Sequence, residues 1–193
     1  MELVFATHNP NKLLEAQLLM PKHISLLSMD DIGCTEEIHE TSETLEGNAK
    51  LKADFVTERY GMPCFADDTG LLVDALNGAP GVFSARYAGE QKNADDNMHK
   101  LLAALINEKN RSAHFKTAIA LNLNNESIIF EGVVHGEITT QKFGSEGFGY
   151  DPIFRPTAYQ ETFAQLPVAT KNQISHRGKA LQKLISKLRT AVF

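Results

Sequence analysis

The chain has 193 residues, of which 42% are hydrophobic and 22% charged, with a net charge of −5. That length can bury one good core, and the composition is that of an ordinary globular protein, so a disordered chain is excluded. The acidic balance argues against a general nucleic-acid coat or a membrane-surface binder, and an anionic ligand would need a local basic cluster or bound cations.

Glu2 to Ala6 reads as a first core strand rather than a signal peptide, and no run approaches transmembrane length. Thr7-His8-Asn9-Pro10-Asn11-Lys12 follows, with Asn9 as N-cap and Pro10 at the first turn of a helix whose spacing shows over 13–20. A strand feeding a helix start through a polar turn can hold an anion, and Lys12 adds a cation, although the same residues also describe a plainly capped helix. Ser25 to Ser28 is a second strand candidate, and 29–44 reads as an acidic loop carrying Glu36, Glu37, Glu40 and Glu43. Leu45 to Tyr60 has helical spacing and ends at Gly61-Met62-Pro63.

Pro63 to Ala66 is a short apolar strand that stops at Asp67-Asp68-Thr69-Gly70, after which Leu71-Leu72-Val73 resumes. Two carboxylates at the end of a buried strand are costly unless something positive meets them. Good turn chemistry explains the same residues, so this stretch alone leaves both readings open. Asn77 to Gly81 is a turn cluster, and Asn93 caps a helix with the stripe Met98, Leu101, Leu102, Leu105. Residues 114–123 and 127–134 read as a hairpin around Asn124-Asn125-Glu126, and 136–142 as a further strand. Phe143 to Pro152 is a loop rich in glycine and aromatics. Ser175 is placed as the N-cap of a closing helix with the stripe Leu181, Leu184, Ile185, Leu188. His176, Arg177 and Lys179 crowd its first turn, where cations oppose the dipole and make better sense serving a ligand. Cys34 and Cys64 have neither zinc spacing nor a disulfide framework, which fits reduced thiols in the cytoplasm. The elements together suggest a mixed α/β sheet.

Singly these signals are weak. In combination, Thr7 to Lys12, Asp67-Asp68-Thr69-Gly70, Gly78-Ala79-Pro80-Gly81, Phe148-Gly149-Tyr150-Asp151 and Ser175-His176-Arg177-Gly178-Lys179-Ala180 resemble the inosine/xanthosine triphosphate pyrophosphatases, in order from about residue 3 to about residue 189. The resemblance implies one domain over 1–193, an elongated mixed sheet flanked by helices, in two lobes with a nucleotide cleft. It also implies a homodimer that uses Mg2+ to split ITP, dITP or XTP into the monophosphate and pyrophosphate, with no nucleic-acid or membrane partner.

By the same resemblance, Thr7, His8, Asn9, Pro10, Asn11 and Lys12 hold the triphosphate and Thr69 touches substrate. Asp68 is the general base and a metal ligand together with Glu40, with Glu43 and Glu46 as alternatives in the acidic loop. Phe148, Gly149, Tyr150, Asp151, Lys171, His176 and Arg177 surround base and sugar.

The chemistry agrees with this assignment. Mg2+ takes one or two carboxylates plus phosphate oxygens and waters. Neighbours on an extended strand point opposite ways, so of Asp67 and Asp68 one is expected to meet the metal and the other to orient a basic side chain or water. Lys52 is a second cation candidate beside Lys12, with a solvated helix face as the alternative. A donor-rich pocket of Lys171, His176 and Arg177 favours a 6-keto purine over adenine, and Phe148 offers a stacking face. The rival readings are a pyrophosphatase for other modified nucleotides and a nucleotide sensor without catalysis.

Overall fold

The computed structural model of the protein describes residues 1–190. The strands are β1 (Glu2–Phe5), β2 (Ser25–Leu27), β3 (Cys64–Val73), β4 (Pro80–Gly81), β5 (Ser112–Leu123), β6 (Glu126–Ile138) and β7 (Phe154–Pro156). The helices are α1 (Pro10–Leu19), α2 (Leu45–Tyr60), α3 (Ala94–Ala104), α4 (Val168–Ile174) and α5 (His176–Thr190). The strands form one mixed sheet in the order β2-β1-β3-β5-β6-β7, with β4 on β3. β1 runs parallel to β2 and β3, while β4 on β3 and β7 on β6 are antiparallel. The mixed α/β class read from sequence is therefore the fold observed.

The chain divides into two compact units, each with a core of its own. The first comprises 1–68, 117–132 and the segment from Arg177 onward. Its core joins Leu3 and Phe5 of β1, Ile119 and Leu121 of β5, and the α5 stripe Leu181, Leu184, Ile185, Leu188. Phe5 stacks on its register partner Phe65 with centroids 4.4 Å apart, and burying a side chain of this kind contributes about 1.5–3 kcal/mol. The second comprises 69–116 and 133–176 and packs Leu71, Val73, Met98, Leu101 and Leu105 with Phe115, Phe154 and Phe163.

Local chemistry accounts for the boundaries. Asn9 caps α1 by accepting from the N–H groups of Asn11 and Lys12, with Pro10 at the first position. Thr44 caps α2 by accepting from Gly47 N, and Gly61 closes it in the left-handed conformation at φ 66°. Asn124 and Asn125, at φ 51° and 63°, make the two-residue β5–β6 turn.

Three differences from the sequence reading have physical causes. β3 does not stop at the carboxylates but runs on through Asp67-Asp68-Thr69-Gly70, because cations (below) offset the burial of Asp67 and an amide donor meets Asp68. Of the separate strand expected over 136–142, residues 136–138 are the end of β6 and 139–142 are not strand. Arg111 takes the carbonyls of Ile138 and Thr139 through Nε and Nη2, at 2.6 and 2.7 Å, where a further strand would have bonded. α4 and β7, too short to carry a period, were not foreseen, and Ser175 lies between α4 and α5.

Gly47 is the tightest point of the α2 start. A Cβ there would lie 2.0 Å from Ser42 Oγ and 2.7 Å from Ser42 Cβ. Gly47→Ala should therefore lose about 1–2 kcal/mol, although helix propensity alone favours alanine by about 1 kcal/mol. Thermal unfolding checks this, and an unchanged or higher Tm would contradict the close approach.

Candidate active site

The turn between β1 and α1 is self-supporting. Asn9 N donates to Thr7 Oγ1 at 3.1 Å, and the Asn9 side chain takes the N–H groups of Asn11 and Lys12. What this turn then presents is the Lys12 ammonium, 2.8 Å from Asp67 Oδ1. His8 is exposed, and its ring bonds Asp30 Oδ1 at 3.2 Å and Glu36 O at 3.4 Å in the acidic loop. Pro10 and Asn11 are exposed at the helix start.

Asp67 and Asp68 are successive residues of β3 and have different neighbours, as a pleated strand requires. Asp67, 1% exposed, holds Lys12 through Oδ1 and the Arg177 Nε through Oδ2 at 3.1 Å. Arg177 Nη1 in turn donates to Glu15 Oε2 of α1 at 2.8 Å. Burial would raise the Asp67 carboxyl, but Lys12, Arg177 and Lys52 together hold it well below the usual carboxylate range. Burial lowers the Lys12 ammonium despite Asp67, so it is a weaker hold on its proton than a surface lysine's. Through Nε and Nη1 the Arg177 guanidinium clamps Asp67 and Glu15, because a buried charge must be met.

Asp68 sits in a different field. Asn48 Nδ2 of α2 donates to its Oδ2 at 3.1 Å, and Lys52 Nζ lies 3.9 Å from its Oδ1. The same Lys52 ammonium is 2.5 Å from Glu40 Oε1. Lys52 is thus buried between two carboxylates rather than on a solvated face. Burial lowers its pKa and the carboxylates more than restore it. Burial pushes Asp68 up to about 6, with Glu40 adding to the rise and Lys52 opposing it. Of the acidic-loop candidates Glu40 meets Lys52, whereas Glu43 is exposed. Among the described residues no three His, Cys, Asp or Glu side chains cluster as a complete metal shell. Glu40 and Asp68 are nonetheless an oxygen pair facing one cation already, the donor type and number that a hard ion sharing its shell with phosphate oxygens would use.

In the second unit, Lys171 Nζ donates to Asp151 Oδ2 at 2.7 Å and lies 4.8 Å from the centroid of the Phe148 ring. Asp151 Oδ2 also accepts from Phe148 N at 2.9 Å. Gly147 at φ 78° passes so close that a Cβ would lie 2.1 Å from that oxygen, and Gly149 has φ 64°. Phe148 and Gly149 are partly exposed. Tyr150, by contrast, is a core anchor: its hydroxyl donates to Ser84 O at 2.8 Å. His176 stacks on Phe115 at 4.5 Å and 15°. Thr69 is partly buried on β3, and His114 and His135, distant in sequence, have ring centroids 5.4 Å apart. Both cysteines are free and buried. Sequence reasoning missed Glu15, Asn48 and Phe115, which looked like ordinary helix and strand residues.

The protein is thus of the mixed α/β class, with a buried strand whose two neighbouring carboxylates meet two lysines and an arginine. Residues 3–187 match the Ham1 family, and the chain belongs to it. It is 63% identical over 188 residues to a dITP/XTP pyrophosphatase of Flavobacterium johnsoniae, covering 97% of this chain and 98% of that protein. Its fold is that of a HAM1 protein from Coxiella burnetii, with TM-score 0.91, 42% identity and coverage of 99% and 100%. It also matches the Ham1 protein of Staphylococcus aureus, with TM-score 0.89, 39% identity and 98% coverage of each chain.

The two carboxylates should have opposite effects on stability. Asp68 has a folded pKa of about 6 against 3.8 for an ordinary carboxyl, so between those values the folded state binds more proton and stability falls as pH rises. Above pH 6 the full penalty is present, and Asp68→Asn should raise stability there by about 1–3 kcal/mol, a gain that fades below pH 4. Asp67 is shifted down, so its contribution is present at neutral pH and lost in acid. Asp67→Asn should cost about 3–5 kcal/mol at pH 7.5. Denaturant unfolding of both variants at pH 4 and 7.5 checks the pair, and a destabilised Asp68→Asn at pH 7.5 would refute the field assigned to it.

Proposed function

We propose that the protein hydrolyses deaminated purine nucleoside triphosphates (ITP, dITP or XTP) to the monophosphate and pyrophosphate, with Mg2+ as cofactor, as a cytoplasmic homodimer. The observation that carries this reading is the placement of Asp68, a buried carboxyl set between the Asn48 amide and a Lys52 ammonium that also holds Glu40. A carboxylate near neutrality is matched to removing a proton from water. Family membership and relatives named dITP/XTP pyrophosphatase support the substrate class.

Roles divide by chemistry. Lys12, fixed by Asp67, and Lys52 neutralise charge on the triphosphate, with Thr7 and Asn9 shaping the turn that carries Lys12. Glu40 and Asp68 would hold Mg2+, which when bound supplies charge neutralisation and eases ionisation of nearby water. Asp68 takes the proton of a water placed in line with the α-phosphorus, and pyrophosphate leaves. Lys171, His176 and the Phe148 ring take the purine. Lys171 is held by Asp151 and His176 by Phe115, so they are preset donors for a 6-keto oxygen, and the 6-amino group of adenine would meet them donor to donor. A nucleotide sensor without catalysis would have no need for a destabilised carboxyl at Asp68.

Purified protein with Mg2+ and ITP, XTP, GTP or ATP, assayed for pyrophosphate, tests the reading. Turnover of ITP and XTP should exceed that of ATP by about 10-fold or more, the scale of one unpaired buried donor. Asp68→Asn should lose about 100-fold or more in kcat while folding normally. Comparable ATP and ITP turnover would contradict the base preference, and an active Asp68→Asn the general-base role.

A further inference from the structure

The proposed function leaves Asn48 without a role, yet its side chain is completely buried at the start of a helix, and asparagine is a poor helix former. Both ends of its amide are used. Nδ2 donates to Asp68 Oδ2 at 3.1 Å, and Oδ1 accepts from Ser42 N at 2.9 Å. The orientation of the amide follows from its neighbours, since an ionised carboxylate cannot donate and a peptide N–H cannot accept. Ser42 lies two residues beyond Glu40 in the chain. Glu40 and Asp68 are bound a second time through Lys52, at 2.5 Å and 3.9 Å. The circuit from Glu40 through Ser42, Asn48, Asp68 and Lys52 back to Glu40 is closed.

We propose that Asn48 is a positioning residue. Its amide ties the Asp68 carboxylate to the loop carrying Glu40 and fixes the orientation in which that carboxylate meets water. This deepens the reading of Asp68 as general base and rests on it. The amide is needed because the link requires a donor at one end and an acceptor at the other. Leucine offers neither, aspartate offers the acceptor alone, and alanine leaves both groups of its neighbours without that partner. The carboxylate would then be free to turn, and a displacement of about 1 Å at a reacting group can cost about 100-fold in rate.

The test is the separation of kcat from KM for ITP at saturating Mg2+ in Asn48→Ala and Asn48→Asp, with circular dichroism to establish folding. Asn48→Asp keeps the shape and the Ser42 bond but sets a second carboxylate against Asp68, so Asn48→Leu, neutral and of similar size, is measured beside it and tests the loss of the donor even if the alanine variant does not fold. A fall of about 10- to 100-fold in kcat with KM within about two-fold is expected for each. In the Asp68→Asn background, Asn48→Ala should cause no further loss, because it acts through the group already removed. A folded Asn48→Asp with parental kcat, an effect confined to KM, or an undiminished loss in the Asp68→Asn background would overturn the inference. Its failure is distinguishable from that of the reading beneath it. A fully active Asp68→Asn sinks the base assignment, whereas an inactive Asp68→Asn beside a fully active Asn48→Asp sinks only the role of Asn48.

Discussion

The pleat of β3 is the constraint from which the rest follows. Successive side chains of an extended strand leave on opposite faces, so Asp67 and Asp68 are separated by one peptide but live in different surroundings. One is clasped by Lys12 and Arg177 and is over-satisfied as an anion. The other receives an amide and a more distant ammonium, and burial keeps its proton affinity high. Had the chain turned at these residues, as their composition also allows, both carboxylates could have shared one set of cations and neither would have been distinguished.

The difference divides labour between structure and chemistry. The Lys12–Asp67–Arg177–Glu15 network joins α1, β3 and the start of α5 through charges that are buried and mutually matched. Removing one member strands the others, which makes the network rigid. Lys12 is thereby held in place instead of roaming on its four-carbon stem. Asp68 is left by burial with a greater affinity for a proton than an ordinary carboxylate, despite Lys52. A pair of adjacent, nominally identical residues is set apart in this way by environment alone.

Much of this was legible in the sequence, for reasons that can be assigned residue by residue. α2 was bounded correctly because its apolar spacing is regular and Gly61 stops it, and the β5–β6 turn because Asn124 and Asn125 tolerate positive φ. That one of Asp67 and Asp68 would orient a basic side chain followed from strand geometry. What was not legible depends on partners far apart in the chain. The pairing of Arg177 with Asp67 was out of reach because it spans 110 residues. His8 lay in a phosphate-like turn, but its ring finds Asp30 and Glu36 in the loop beyond β2. Lys52 had a solvated helix face as its alternative, and Asn48 carried no signal of its own; only the packing of α2 reveals both as buried. Short elements such as β7 and α4 carry too few residues to show a period.

The most direct measurement is a crystal structure of the protein with Mg2+ and an ITP analogue bearing an imido bridge between the α- and β-phosphorus. The account predicts that the ion touches Glu40 and Asp68, that Asp67 keeps its bonds to Lys12 and Arg177, and that a water lies between Asp68 and the α-phosphorus. An ion ligated by Asp67, or Arg177 released from Asp67 to bind the purine, would contradict it.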